Sequence, residues 1–399
     1  MVITKILQQG ISNMMSGLTL MQKSINISKE IQELFNIEQE TVTPDYLIKK
    51  LLSQKVDLIW NGGIGTYVKA IDEDNARVGD KNNDNIRING SELNCKLVGE
   101  GGNLGFTQRG RIEYALGGGR INTDAIDNSA GVDCSDHEVN IKIALSYALE
   151  NKLLSITKRD LLLKEMTEEV ALLVLKDNQL QTQAITIMEQ QGHDILELNE
   201  RLINRLVSIG SLNRDVEFLP NKSELNRRNI AKLGFTRPEI SILLAYSKLN
   251  IYNDLISSNL PDDTYFQNDL SLYFPKLMRE KYIDAINNHS LKREIIATSV
   301  TNSMVNRIGS FFYHFAMEDT GLKGCDIARA YAITCDIFNL RSVWLNIESL
   351  DGGIDVAKQV DLFIQINKLV QRSIFWFLRN IVELKEVTNI INRYKPGIV

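Results

Sequence analysis

Three short segments of the sequence concentrate glycine, asparagine, serine and aspartate. They are WNGGIGT (60–66), GEGGNLG (99–105) and DNSAGVDCS (127–135). Glycine lets a ligand approach the main chain closely, and the polar side chains can form directional hydrogen bonds with it. A single segment of this kind would be an ordinary turn, because glycine and asparagine are common turn residues. Three of them, at equivalent places in the chain, favour a binding site for a small molecule.

The sequence contains no self-contained catalytic or metal-binding motif. None of the four histidines lies in an HExxH or GxSxG motif, and His289 and His314 are expected to be structural residues of amphipathic helices. The four cysteines form no CxxC pair, and the glycines of GEGGNLG do not match GxGxxG. RVGDKNNDNIRING (77–90) lacks the register of an EF-hand, so we interpret it as a solvated loop. We therefore predict no metal site.

Helices and strands alternate before and between the polar segments. TPDYLIKKLLSQ (43–54) predicts a helix with Thr43 as its N-cap and Pro44 at its first position, and KVDLIW (55–60) predicts the strand that follows. LNCKLVGEGG (93–102) predicts a second strand, which ends in glycine-rich backbone. Each of these strands leads the chain into one of the polar segments.

The same alternation continues to about residue 150. TQRGRIEYALGGG (107–119) predicts a helix, RINTDAIDN (120–128) a strand and loop, and DCSDHEVNIKIALSYALENK (133–152) a helix capped by Asp133 or Ser135. Strands separated by helices are typical of parallel sheets with crossover connections. In such open sheets ligands bind beyond the carboxyl ends of the strands, which is where the three polar segments fall.

The remainder of the chain is expected to be all-helical. Apolar residues recur at helical spacing in four stretches: 161–175, 237–256, 291–317 and 354–380. The net charge of -5, from 45 lysines and arginines against 50 aspartates and glutamates, gives no basic surface for nucleic acid or an anionic membrane. No apolar run approaches the roughly 20 residues of a membrane span, and the start is not a signal peptide. We therefore expect a cytoplasmic protein.

Five blocks of sequence, taken in order, strongly resemble the large NAD-specific glutamate dehydrogenases of bacteria. The blocks are VDLIWNGGIGTYVKA, LVGEGGNLGFTQRGRIEYALGGGRINTDAIDNSAGVDCSDHEVNIKI, FTRPEISILLAYSKL, HSLKREIIATSVTNSMVNRIG and QVDLFIQINKLVQRSIFWFLRN. The resemblance implies an α/β plus all-α fold. Residues 21–150 would be the C-terminal part of a Rossmann-like parallel sheet that binds NAD, and residues 151–399 a large helical domain. Residues 1–20 do not follow the family pattern and form a separate N-terminal segment.

A weaker resemblance to the smaller hexameric amino-acid dehydrogenases implies individual site residues. The segment 100–103 stands where that group has EGAN, and the segment 128–132 stands for its NAGGV, with Ser135 and Glu138 at matching positions beyond. Together with the first polar segment, the residues assigned to NAD are Asn61, Gly62, Gly63, Glu100, Gly101, Gly102, Asn103 and Asn128, with Asn103 and Asn128 at the nicotinamide and ribose end. The same resemblance implies that Ser135 hydrogen-bonds the side-chain carboxylate of L-glutamate. The helix start expected there agrees with this role, because it favours an anion.

The resemblance also implies which parts have no equivalent here. In the family, the glycine-rich pyrophosphate turn, the substrate-binding and catalytic lysines and the catalytic aspartate lie upstream of the segment that matches residue 21. We therefore assign no catalytic residue to this chain. We interpret it as a fragment of an enzyme that converts L-glutamate to 2-oxoglutarate and ammonium, inactive alone and homo-oligomeric in its intact form. Two alternatives stay open: a split enzyme active with a separately encoded N-terminal chain, and a non-catalytic helical interaction module.

We predict that the purified chain forms no NADH from glutamate and NAD. The groups that orient and deprotonate the substrate amine normally lower the reaction barrier by many kcal/mol, so the rate without them falls to background. Absorbance at the NADH maximum measures the rate. Glutamate-dependent NADH formation that is abolished by Ser135→Ala would overturn the interpretation as an inactive fragment.

Overall fold

The computed structural model describes residues 23–398. The chain divides after Asn128 into two units. The helix predicted at 133–152 was expected to belong to the nucleotide-binding domain. It belongs to the second unit, because its buried residues pack on helices of that unit. The predicted segment 1–20 lies outside the described residues.

The first unit contains short strands and short helices. Its strands are β1 (Ile25–Asn26), β2 (Thr41–Val42), β3 (Leu58–Asn61), β4 (Val68–Lys69), β5 (Ile88–Asn89) and β6 (Leu97–Glu100). Its α-helices are α1 (Lys29–Phe35), α2 (Pro44–Leu52), α3 (Asn75–Val78), α4 (Gln108–Leu116) and α5 (Asp124–Asp127), with single 3-10 turns at Lys81–Asn83 and Gly90–Glu92.

The strands of the first unit form small two-stranded sheets. β1 and β2 are antiparallel, whereas β3 is parallel to β6 and β4 is parallel to β5. Single parallel bridges join Val68 to Phe106 and Leu97 to Arg120. The parallel relation expected between the strands at 55–60 and 93–102 is therefore confirmed. Apolar residues between these pairs form the core: Val68, Ile88, Leu93, Cys95, Val98, Phe106, Tyr114 and Ile121.

Local sequence signals fix several helix ends as predicted. The Thr43 hydroxyl accepts a hydrogen bond from the Tyr46 amide and caps α2, with Pro44 in its first turn. The Thr107 hydroxyl caps α4 in the same way through the Gly110 amide. Both caps satisfy amide groups that have no partner inside the helix. The predictions at 43–54 and 107–119 are thus confirmed.

Three local predictions are wrong. The segment 120–128 forms one bridge residue and the helix α5, because Asp124 and Asp127 accept hydrogen bonds from main-chain amides instead of continuing a strand. The helix predicted to start at Asp133 or Ser135 starts at Ser129. The segment 77–90 is not a solvated loop, because it contains a 3-10 turn and β5 and encloses the buried side chain of Arg87, which donates to the Thr66 carbonyl and to Asp84.

The second unit is helical throughout its described part. The α-helices are α6 (Ser129–Glu150), α7 (Ile156–Glu165), α8 (Thr167–Gln191), α9 (Leu196–Ser208), α10 (Lys222–Ala231), α11 (Arg237–Ile256), α12 (Gln267–Tyr273), α13 (Lys276–Lys281), α14 (Ile283–Asn287), α15 (Lys292–Ile308), α16 (Phe312–Thr320), α17 (Gly324–Ile337), α18 (Leu340–Glu348), α19 (Val356–Asn380) and α20 (Val387–Tyr394). Short 3-10 turns lie at Gly192–Ile195, Leu260–Asp262, Thr264–Phe266 and Lys395–Gly397. None of the described helices is long and apolar enough to cross a membrane.

Helix α11 begins and ends where its apolar pattern predicts. Thr236 and Glu239 form a capping box, and the buried Glu239 carboxylate also accepts two hydrogen bonds from Arg228, at 2.7 and 2.9 Å. The stretch 291–317, by contrast, is two helices. It breaks at Gly309, whose φ of 88° is a left-handed conformation that favours glycine.

Helix α16 buries a histidine that lacks a full set of hydrogen bonds. The His314 side chain is almost fully buried, and its Nε2 atom has no hydrogen-bond partner among the described residues. Burial, together with the guanidinium of Arg205, lowers the pKa of His314 from 6.5 to about 4. The unfolded chain therefore binds this proton at a higher pH than the folded chain does. The free energy of unfolding must decrease as the pH falls through this window.

We predict that His314→Gln removes this pH dependence. Between about pH 7.5 and about pH 5, the wild type should lose about 2 kcal/mol more free energy of unfolding than the variant, at about 1.4 kcal/mol per pKa unit. Urea denaturation of both proteins at the two pH values measures the difference. His193→Gln, at a histidine bonded to Asn229, is the control and should behave as wild type. Equal losses in the wild type and in His314→Gln would contradict the account.

Candidate functional site

The carboxyl ends of β3 and β6 lie side by side in the first unit. Asn61 pairs with Glu100 in the parallel register. The carbonyl oxygen of Asn61 then accepts two hydrogen bonds, from the amides of Gly101 at 2.8 Å and Gly102 at 3.0 Å. The loops that follow the two strands are therefore joined through their main chains.

The glycines of these loops are needed for contacts within the protein. A Cβ atom placed on Gly102 would lie 2.3 Å from the carbonyl oxygen of Gly63, so the two loops approach each other too closely for a side chain. Cβ atoms on Gly99 and Gly101 would lie 2.7 and 2.5 Å from the indole of Trp60. The indole lies flat against this main chain while 63% of the Trp60 surface stays exposed.

A buried ion pair fixes the end of β6. Glu100 is fully buried, and its two carboxylate oxygens accept hydrogen bonds from the Arg111 guanidinium at 2.6 and 2.9 Å. Arg111 also lies 3.2 Å from a carboxylate oxygen of Asp124. Burial raises the pKa of Glu100, and the hydrogen bonds from Arg111 oppose that rise. The bidentate geometry is the strong form of this interaction, so Glu100 locks β6 to α4.

Two aspartates of α5 hold the loop after β6 from the other side. Asp127 accepts a hydrogen bond from the Glu100 amide at 3.0 Å, and Asp124 accepts one from the Leu104 amide at 2.8 Å. Leu104 has a φ of 57°, in the left-handed region that most residues avoid. The Asp124 hydrogen bond therefore stabilises a sharp reversal of the chain directly after Asn103.

Three asparagine side chains lie at these loops. Asn128 donates a hydrogen bond from Nδ2 to Oδ1 of Asn103 at 3.0 Å, so the two side chains assigned to the nicotinamide end lie together. Asn103 is exposed and Asn128 is half-buried. The Nδ2 atom of Asn61 is buried and has no hydrogen-bond partner in the part of the chain that the structure describes. A Cβ on Gly105 would lie 1.8 Å from that atom, which explains why the position is glycine.

Ser135 belongs to the second unit and does not lie at a helix start. It is the seventh residue of α6, it is exposed, and its hydroxyl donates to the Gly131 carbonyl at 3.3 Å. Ser135 therefore has no free helix amides beside it to favour an anion, and the helix start predicted there is wrong. Its assignment to glutamate stays a prediction that rests on resemblance alone.

The residues that hold the site together were not predicted from the sequence. Arg111, Asp124 and Asp127 are charged residues in segments predicted as an ordinary helix and a strand. The available signal in the sequence was the weak amphipathic pattern of 108–116, which does not separate an apolar face from a charged one. In the structure both Arg111 and Tyr114 of this helix are buried. The partners of Arg111, Asp124 and Asp127 come from β6 and the loop after it, which periodicity within one element does not reveal.

We predict that Gly102→Ala loosens the joined loops. The added methyl group must push away the Gly63 carbonyl, at a cost of about 1–3 kcal/mol. Hydrogen exchange of peptides covering 58–66 and 97–105 should become faster in this variant. Gly63→Ala is the matched control, because a Cβ at Gly63 meets no atom within 4 Å. Unchanged exchange in Gly102→Ala, or equal effects of the two substitutions, would contradict the close approach.

Comparisons with known proteins connect this geometry to one family. Residues 8–188 match the family described as bacterial NAD-glutamate dehydrogenase, catalytic domain. Residues 232–399 match the family described as glutamate dehydrogenase, C-terminal. The two matches follow each other in the chain and leave residues 1–7 and 189–231 unmatched.

Curated relatives agree with both matches. The NAD-specific glutamate dehydrogenase of Halomonas elongata is 45% identical over 90% of the chain, and that of Pseudomonas aeruginosa is 44% identical over 90%. The protein of the same name from Mycobacterium tuberculosis is 38% identical over 94%. The chain spans 22% of the length of the first two relatives and 23% of the third. It therefore belongs to the bacterial NAD-glutamate dehydrogenase family and corresponds to a segment of those longer proteins.

Proposed function

We propose that this chain is part of an NAD-dependent glutamate dehydrogenase and contributes the half of a Rossmann-like site that holds the nicotinamide and its ribose. The observation that carries the proposal is the joined end of β3 and β6, where Asn61, Asn103 and Asn128 present carboxamide groups beside glycine main chain. Parallel strands place ligands at this end. The family membership supplies the identity of the ligand.

The residues at the strand ends fit a nicotinamide nucleotide. A nicotinamide carboxamide and a ribose both need hydrogen-bond donors and acceptors at fixed positions. The Nδ2 donor of Asn61 is buried against Gly105 and has no hydrogen-bond partner among residues 23–398, and Asn103 offers an exposed carboxamide held in place by Asn128. NAD, when bound, would supply the hydride acceptor. The asparagines orient its nicotinamide end, and the Glu100–Arg111 pair keeps the loop that carries Asn103 in position.

The reaction itself needs catalytic groups, and we assign none of them to residues of this chain. Oxidative deamination of L-glutamate to 2-oxoglutarate requires a base and an amine-binding group beside the nicotinamide. We propose that a further catalytic segment supplies them, and that Ser135 binds the side-chain carboxylate of glutamate in the complete homo-oligomeric enzyme. Because that segment would also carry the pyrophosphate turn, NAD should bind to this chain weakly and mainly through one end.

The proposal is tested by measuring which end of NAD contacts the chain. In saturation-transfer NMR of the full chain with excess NAD, we predict stronger transfer to the nicotinamide protons than to the adenine protons. Asn103→Ala should remove most of the nicotinamide signal, because the exposed carboxamide that contacts this end is lost.

Asn82→Ala is the matched control. Asn82 is exposed in the same unit, in the turn at Lys81–Asn83. This variant should give the wild-type pattern. Stronger transfer to adenine, or an equal response in Asn103→Ala and Asn82→Ala, would refute the assignment of the nicotinamide end to these loops.

A further inference from the structure

A cluster of ligand-type side chains lies inside the second unit. Asp133 and His137 are four residues apart on α6 and share one face of the helix, and Asp177 on α8 completes the group. One carboxylate oxygen from each aspartate and one imidazole nitrogen lie within 4.8 Å of one another. The His137 Nε2 atom is 3.9 Å from Asp133 Oδ1. Ser135 points away from the cluster, because two residues of an α-helix are roughly 200° apart.

Several of these ligand atoms have no partner. The His137 residue is 2% exposed, yet neither of its ring nitrogens makes a hydrogen bond with any residue of the described range 23–398. The Oδ2 atom of Asp133 is also buried without a partner in that range. Buried polar groups in proteins are normally hydrogen-bonded or bound to a metal ion. The unused imidazole and carboxylate atoms face a common space, so they point to a shared ligand.

The surroundings hold the imidazole in place. The Tyr273 ring stacks on His137 with centroids 4.4 Å apart and planes inclined by 17°. The Tyr273 hydroxyl in turn accepts a hydrogen bond from Asn140 at 2.9 Å. Because the stacked ring cannot swing away without losing this contact, the nitrogen atoms of His137 stay directed toward the aspartates. Fixed ligand orientation of this kind supports tight metal binding.

We propose that Asp133, His137 and Asp177 bind a divalent metal ion, Zn²⁺ in preference to Mg²⁺ or Ca²⁺, which joins α6 to α8. Imidazole nitrogen suits zinc, whereas magnesium and calcium prefer oxygen alone. The two aspartate charges balance the ion. Zinc–ligand bonds of about 2.0–2.2 Å require ligand atoms roughly 3.3 Å apart, so modest side-chain rotations bring the three atoms into range.

Lys248 is the competing cation. Its side chain is half-buried near the same aspartates, and it donates a hydrogen bond to Gln181. Burial lowers the pKa of Lys248 to about 8, while the carboxylates of Asp177 and Asp133 oppose that change. An ammonium group can neutralise the carboxylates but leaves the imidazole nitrogens without a ligand. Replacing Lys248 should therefore strengthen metal binding, because a repelling charge is removed.

Calorimetric titration of the metal-stripped full chain with Zn²⁺, Mg²⁺ and Ca²⁺ tests the proposal. We expect one Zn²⁺ per chain and much weaker binding of the other two ions. His137→Ala and Asp177→Asn should each weaken Zn²⁺ binding by about 100-fold or more, since even loss of a residue behind a ligand commonly costs 10–100-fold. Lys248→Met should strengthen it. Cobalt substitution adds a spectroscopic signature, because a bound imidazole changes the visible spectrum of Co²⁺.

His193→Ala and Asp160→Asn are the matched controls, since they remove the same residue types outside the cluster and should leave Zn²⁺ affinity unchanged. Far-UV circular dichroism confirms that each variant keeps its helices. The proposal is overturned if the wild type binds no Zn²⁺ stoichiometrically, or if binding survives both His137→Ala and Asp177→Asn. Tighter binding of Mg²⁺ or Ca²⁺ than of Zn²⁺ would overturn the assignment of the ion.

Discussion

The buried ion pair between Glu100 and Arg111 is the interaction on which the candidate site depends. It ties the last residue of β6 to α4, and Arg111 extends the link to Asp124 of α5. Asn103 lies three residues beyond Glu100 and Asn128 directly follows α5, so their 3.0 Å hydrogen bond requires both elements to be in place. Removing one member of such a pair commonly costs about 3–5 kcal/mol, because the other charge stays buried. The site residues are therefore positioned by a group that need not touch the ligand.

The glycines complete this arrangement for a different reason than the sequence suggested. From the sequence, these glycines were expected to let a ligand approach the main chain. The distances from Cβ atoms placed on them to neighbouring atoms show that contacts within the protein also require glycine. Gly102 faces the Gly63 carbonyl, and Gly99 and Gly101 lie under the Trp60 indole. In the smaller amino-acid dehydrogenases that the segment resembles, alanine stands at the position of Gly102. The close approach of two loops explains why this chain has no side chain there.

Predictions from sequence succeeded where the signal lies within one element. Helix α2 follows from Thr43 and Pro44, and α11 follows from its capping box and apolar spacing. They failed where a contact from another element decides the conformation. Residues Asp124–Asp127 form a helix instead of a strand because two of their carboxylates bond to the end of β6 and to the loop after it. Helix α6 begins earlier than predicted, at residues that look like a loop. Asp133 and His137 are four residues apart, a spacing that places two metal ligands on one face of a helix. Asp177 becomes their neighbour only when α8 packs on α6.

Hydrogen exchange of the full wild-type chain with and without NAD is the most direct measurement of the central claim, that the joined ends of β3 and β6 bind the nicotinamide half of NAD. The account predicts that saturating NAD slows exchange in peptides covering 58–66 and 97–105. Peptides from α15 to α20 should exchange at the same rate in both samples. Protection confined to the helical unit, or no change in either loop at saturating NAD, would contradict it.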